Sequence, residues 1–144
     1  MKLKGQNTEQ KLRGGYYTPR KLADFIVDWA LSDRKVNNIF EPSCGDGVFL
    51  ESIKKHPHST KLKCLAVELI EEEAQKAREK VADLDSVEVL TADFFDVYEK
   101  NRSSIFNQQK GFDCIVGNPP YIRYQYLTPE QRDVQANILV SNGI

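Results

Sequence analysis

The apolar positions of the chain change period several times, and those changes predict alternating short strands and helices. Val36-Asn-Asn-Ile-Phe40 reads as a first strand, and Val48-Phe49-Leu50 with Ile53 opens a helix after a polar, glycine-bearing turn. Lys61 to Leu69 is a second strand, with Leu65, Ala66 and Val67 leading into Glu68; Glu71 to Leu84 is a charged helix with Ala74, Ala77, Val81 and Leu84 on its inner face. Val87 to Leu90 is a third strand. Phe112 to Gly117 is a fourth, stopped by Pro119 and Pro120, because neither proline can donate to a sheet ladder. Ahead of these elements, Thr18 is expected to cap a helix with Pro19 in its first position, and Leu22, Phe25, Ile26 and Trp29 recur at helical spacing as its expected core face. Residues 97 to 111 are polar and read as a loop containing at most a helical turn. Thr128-Pro-Glu-Gln131 has the spacing of a capping box that starts a last helix.

Strands separated by helices point to an α/β domain with a parallel sheet, and an open sheet of that kind binds ligands beyond the carboxyl ends of its strands. The polar residues that follow each strand are therefore the candidates for chemistry. After the first strand comes Glu41-Pro42-Ser43-Cys44-Gly45-Asp46-Gly47. Gly45 and Gly47 let the backbone approach a ligand and aim the following helix N-terminus at it. Leu50 stands where the dinucleotide fingerprint has its third glycine, and Glu41 and Asp46 would repel a pyrophosphate while attracting a cationic amino group or a sulfonium. That favours S-adenosylmethionine over a nicotinamide dinucleotide. Glu68 ends the second strand about 20 residues further on, where a carboxylate holds a ribose diol; a surface glutamate is the alternative. Asp93 follows the third strand directly, and it suits either an adenine amino group, with Phe94 or Phe95 against the ring, or the cap of a short helix.

The fourth strand runs into Asn118-Pro119-Pro120-Tyr121. A residue before proline is pushed into extended geometry, so Asn118 is held stiffly. Its side-chain carbonyl and the backbone carbonyl of Pro119 can converge on the two hydrogens of an exocyclic amine. Accepting both draws the nitrogen toward tetrahedral geometry and localises its lone pair, which a weak amine nucleophile needs before it attacks an electrophilic methyl group. Tyr121 offers a face on which a base can stack. A strand-terminating turn with a packed tyrosine is the rival reading. Tyr16 and Tyr17 lie just before the first helix, where they either border the ligand or pack.

Composition narrows the class without choosing within it. The chain has 144 residues, 40% of them hydrophobic and 28% charged, with a net charge of −1, so no general attraction to nucleic acid arises and DNA contact must rest on local patches. Tyr124 and Tyr126 interleaved with Arg123 and Arg132 suit such a patch, with a packed loop as the alternative. No apolar run approaches the roughly 20 residues of a membrane span, and the lysine-containing start is no signal peptide, so a cytoplasmic protein is expected. Cys44, Cys64 and Cys114 lack metal-ligand or disulfide spacing and are expected to be reduced; no metal site is indicated. Residues 1–15 read as a polar arm, 16–132 as the catalytic part, and 133–144 as a tail.

Taken together, these motifs resemble the N6-adenine DNA methyltransferases of restriction-modification systems. Gly15-Tyr16-Tyr17-Thr18-Pro19 is similar to that family's N-terminal cofactor motif, and Glu41 to Gly47, with Pro42 and Cys44, to its glycine-turn motif. Glu68 matches the ribose-binding acid, Asp93-Phe94 the adenine-binding pair, and Asn118-Pro119-Pro120-Tyr121 the catalytic tetrapeptide. The resemblance implies a Rossmann-like methyltransferase fold and transfer of a methyl group from S-adenosylmethionine to the N6 of an adenine flipped out of double-stranded DNA, with neither metal nor general base. It also implies a seven-stranded sheet, of which this chain supplies about four strands in the order 3-2-1-4. The rest of the sheet and a target-recognition domain are expected in a C-terminal part, leaving the fourth strand as an open edge prone to self-association. The fragment alone is expected to be inactive. Protein-glutamine and RNA guanine methyltransferases share Asn-Pro-Pro-Tyr and remain alternatives, as does a non-catalytic module that binds S-adenosylmethionine or a partner. The Tyr-Tyr-Thr-Pro segment fits the DNA group better.

Overall fold

A computed structural model describes residues 17–32, 35–101, 111–121, 127–141 and 143. The chain divides into two compact units, Tyr17–Pro119 and the combination of Met1–Tyr16 with Pro120–Ile144. The first unit contains helix α1 (Arg20–Ala30), strand β1 (Asn38–Glu41), helix α2 (Val48–Lys55), strand β2 (Lys63–Glu68), helix α3 (Glu71–Lys80), strand β3 (Val87–Thr91), helix α4 (Phe94–Asn101) and strand β4 (Cys114–Ile115). The strands form one parallel sheet in the order β3-β2-β1-β4, as the motifs imply, so all four carboxyl ends lie along one edge.

Alternation along the central strands divides the core into two layers. Ile39, Cys64 and Ala66 face one side with α1, α2 and α3, while Phe40 and Val67 face the other with Val97 of α4. Phe112 stacks on Phe40 at a centroid distance of 4.8 Å. Helix α2 buries Phe49, Leu50 and Ile53, each contributing roughly 1.5–3 kcal/mol. Helix α3 instead presents Ala74 and Ala77, and their small side chains let it approach the turn before α2. At Gly47 a Cβ would sit 2.9 Å from Cα of Ala77.

Several expectations from the sequence are corrected here. Helix α1 turns Ala23 and Val27 inward, whereas Leu22, Phe25 and Trp29 are exposed, Trp29 by 73%. Close packing on α2 selects the small side chains, while helical spacing of the larger apolar residues suggested the neighbouring flank. Thr18 is buried and does not cap α1; the cap position is Pro19, whose carbonyl accepts from the N–H of Leu22 and Ala23. The stretch beginning at Phe94 is helix as far as Asn101, started by Asp93, whose Oδ1 accepts from the Phe95 N–H at 2.7 Å. Finally, β4 is only Cys114–Ile115, and β1 starts at Asn38, because the Asp113 carboxylate takes the N–H groups of Asn37 and Asn38 in place of ladder partners. Helix α3 also ends before Leu84, with the Lys80 carbonyl accepting from Lys54 Nζ.

In the second unit, helix α5 (Pro129–Ser141) begins where the capping sequence placed it, and the Arg132 N–H donates to the Thr128 carbonyl at 3.1 Å. The N-terminal arm, Tyr16 and the cluster of Arg123, Tyr124 and Tyr126 lie outside the described residues. Among the described residues, no helix is long and apolar enough to cross a membrane.

Gly47 adopts φ +82°, so Gly47→Ala combines left-handed strain with a clash against the backbone of α3. The expected loss is about 2 kcal/mol or more, read as a lower urea midpoint at unchanged m-value.

Candidate cofactor and catalytic site

The glycine turn leaves the end of β1 and is built by backbone bonds from its neighbours. The Cys44 N–H donates to the Val67 carbonyl of β2, and the Gly47 N–H to the Cys44 carbonyl, each at 2.9 Å. Gly45 takes φ +53° with nothing within 4 Å of an added Cβ, so open space lies over that peptide. Glu68 anchors the arrangement from the tip of β2: its Oε2 accepts from the Gly45 N–H at 2.8 Å and its Oε1 from the Ile70 N–H at 2.9 Å. Each oxygen retains a second lone pair, the capacity a ribose diol uses.

The N-terminal and catalytic motifs meet at the same edge. Asn118 follows β4, and its Nδ2 donates to Oγ1 of buried Thr18 at 3.3 Å, across 100 positions of sequence. Tyr17 is half exposed and its hydroxyl donates to Glu73 Oε2 at 3.0 Å on α3. Pro42 and Glu41 close against Gly117: a Cβ there would stand 3.6 Å from Pro42 Cδ and 3.7 Å from Glu41 Cγ. The sequence reading omitted Gly117, although a glycine between buried Val116 and Asn118 is a signal of close approach. Pro119 is exposed, and Pro120 and Tyr121, which belong to the other unit, are exposed there. Asp93 lies at the tip of β3, where the Ala92 N–H donates to the Glu68 carbonyl. Phe94 lies partly buried with its centroid 6.0 Å from that of Phe40, whereas Phe95 is exposed.

Negative charge dominates this edge. Asp46 is paired with Lys80 at 2.8 Å, a partner the sequence reading did not assign. Glu41 is completely buried, and neither carboxylate oxygen has a hydrogen-bond partner among the described residues. Burial, then the charges of Asp46 and Glu68, hold its pKa well above the ordinary carboxylate range. Burial likewise pushes the Cys44 thiol up, so its sulfur is a packed apolar group and its backbone does the work of the turn. An orphaned acid, an open glycine peptide and a carboxylate with spare acceptors fit a cationic nucleoside, which is the chemistry of S-adenosylmethionine. Apart from this edge, a groove of about 410 Å³ runs between α1 and β4, lined by Ile26, Trp29, Val36, Cys114 and Ile115 among others.

A parallel sheet in this order with a glycine turn after an inner strand is a Rossmann-like arrangement, the fold that S-adenosylmethionine-dependent methyltransferases share. The match to a known structure agrees: a type I restriction-modification system methyltransferase subunit from Streptococcus thermophilus superimposes with a TM-score of 0.59 at 22% identity, covering 74% of this chain and 23% of that one. Residues 3–141 match the model of the N-6 DNA methylase family, and the chain belongs to that family. It is 26% identical over 153 residues to the type II methyltransferase M.BanIII of Aneurinibacillus aneurinilyticus, covering 94% of this chain and 26% of that relative. It is also 32% identical over 108 residues to the type II methyltransferase M.CvrRI of Paramecium bursaria Chlorella virus XZ-6E, covering 75% of this chain and 24% of that relative. The chain thus spans about a quarter of the length of these curated relatives.

Because its folded pKa is raised, Glu41 contributes stability below its unfolded value near 4.5, and that contribution is lost as pH rises through the folded pKa. Thermal melts across this range should therefore show the wild type losing stability with rising pH relative to Glu41→Gln, whose neutral amide keeps the shape without titrating.

Proposed function

We infer that this chain is the cofactor-binding and catalytic part of a longer enzyme that transfers a methyl group from S-adenosylmethionine to the N6 amino group of an adenine flipped out of double-stranded DNA. One observation carries the reading: Thr18 fixes the Asn118 amide at the same sheet edge as the glycine turn. With Nδ2 engaged by Thr18, the Asn118 carbonyl oxygen is left to accept from the target amine, beside the carbonyl of Pro119. Glu68 would hold the ribose, Asp93 and Phe94 the cofactor's adenine, and Glu41, Pro42, Cys44, Gly45 and Gly47 the amino-acid end, with Tyr17 and Thr18 closing the edge. Bound S-adenosylmethionine supplies an electrophilic methyl group on sulfonium. The protein's part is to place the amine, take two of its hydrogen bonds and so localise the attacking lone pair, while Tyr121 stacks on the extruded base.

The remaining length of the relatives suggests where the rest of the enzyme adds. Among the described residues β4 pairs only with β1, leaving its outer edge open next to exposed Ile115 and the exposed flank of α1. Further strands of the parent protein would pair there, with the target-recognition domain beyond them. In the isolated chain the same edge is open to a second copy. Sedimentation should then show self-association that Ile115→Lys reduces.

In the parent enzyme, Asn118→Ala should lower the single-turnover methylation rate by about 100-fold or more while S-adenosylmethionine still binds. Glu68→Ala should weaken cofactor binding by about tenfold or more. Thr18→Val should reduce the rate roughly tenfold with little change in cofactor affinity, and Thr18→Ser should restore it. A Thr18→Val enzyme with full activity, or cofactor affinity insensitive to Glu68, contradicts these roles.

A further inference from the structure

Glu41 ends the central strand, and of the three acids gathered at this edge it alone lacks a partner among the described residues. Its side chain is fully buried with both oxygens unbonded. The other two are satisfied, Asp46 by Lys80 and Glu68 by the N–H groups of Gly45 and Ile70. Cys44 and Cys64, which also feel Glu41, are buried thiols pushed further toward neutrality and bring no positive charge. On the helices packed over this layer, Arg20 is paired with Asp24 and Glu51 through Nε and Nη1, and Lys54 with Asp83. A buried carboxylate without a counter-charge, next to two negative neighbours, is far less stable than the neutral acid.

We propose that Glu41 carries a proton in the free protein and gives it up when a cationic cofactor binds at the glycine turn, so that cofactor binding and proton release form one coupled equilibrium. This rests on the reading of the edge as an S-adenosylmethionine site. The ammonium and sulfonium charges of that cofactor would provide a positive field at Glu41, to which none of the described residues bonds. The O–H bond of Glu41 breaks, the proton passes to the buffer, and the carboxylate remains as counter-ion; no bond to the cofactor forms. Below the raised pKa of Glu41, affinity for S-adenosylmethionine therefore climbs with pH, by up to about tenfold per unit for one linked proton, and levels off once the free protein is already ionised.

The test is calorimetric titration of the 144-residue chain with S-adenosylmethionine. Wild type and Glu41→Gln are compared at pH values between about 5 and 7, each in two buffers of different ionisation enthalpy. The wild type should release up to one proton per cofactor more than Glu41→Gln, and its affinity should rise with pH more steeply. Protons belonging to the cofactor itself are common to both proteins and cancel in the difference. Equal proton counts and equal pH slopes overturn the proposal and leave the cofactor site standing; absence of binding by the wild type removes both. Should circular dichroism show Glu41→Gln to be unfolded, the wild type decides alone, and binding heat independent of buffer with affinity independent of pH overturns the proposal.

Discussion

The carboxylate of Glu68 holds the functional edge of this molecule together. It stands at the end of β2 and accepts from two backbone N–H groups, one on the glycine turn after β1 and one at the start of α3. Charge-assisted bonds of this kind are stronger than ordinary ones, and these two are made to peptides that would otherwise present bare donors at the sheet edge. They set the turn's position relative to β2. The approach of Ala77 to Gly47 then sets its distance from α3. The open face over Gly45 is what remains once those contacts are made.

Around that anchor the molecule spends acidic groups unevenly. Asp46 is neutralised by Lys80 across 34 residues, Glu68 is bonded on both oxygens, and Glu41 is buried with no bonding partner among the described residues. Buried polar groups are ordinarily bonded, so an acid left without a partner among the described residues at this edge points to a ligand that completes it. The same edge receives Asn118, whose amide orientation is set by Thr18 from the far side of the sequence. The residues proposed for cofactor and catalysis thus share one rim because parallel strands bring all their carboxyl ends to it.

The opposite flank has a different character. Phe25 and Trp29 are exposed by 68% and 73%, beside a two-residue edge strand and a shallow groove. Apolar surface of this extent next to unpaired ladder groups is what a sheet leaves where more of it is meant to attach. The curated relatives it matches are about four times as long as this chain.

Much of this was readable from residue order. Strand–turn–helix alternation implied the parallel sheet, the 3-2-1-4 order came with the motif resemblance, and glycine spacing with an acidic residue after each of the first three strands pointed to the edge. Those features are local, because they depend on periodicity, on proline's missing donor and on glycine's freedom at φ above zero. What chain order left undecided is which apolar face of α1 turns inward, that Asp93 caps a helix, that Thr18 meets Asn118 rather than its own helix, and that Glu41 is the unpartnered acid. Each depends on which side chains distant in sequence arrive at the same place, and only close packing of the folded chain, where Ala23 and Val27 fit against α2 and Trp29 does not, selects among the alternatives that periodicity permits.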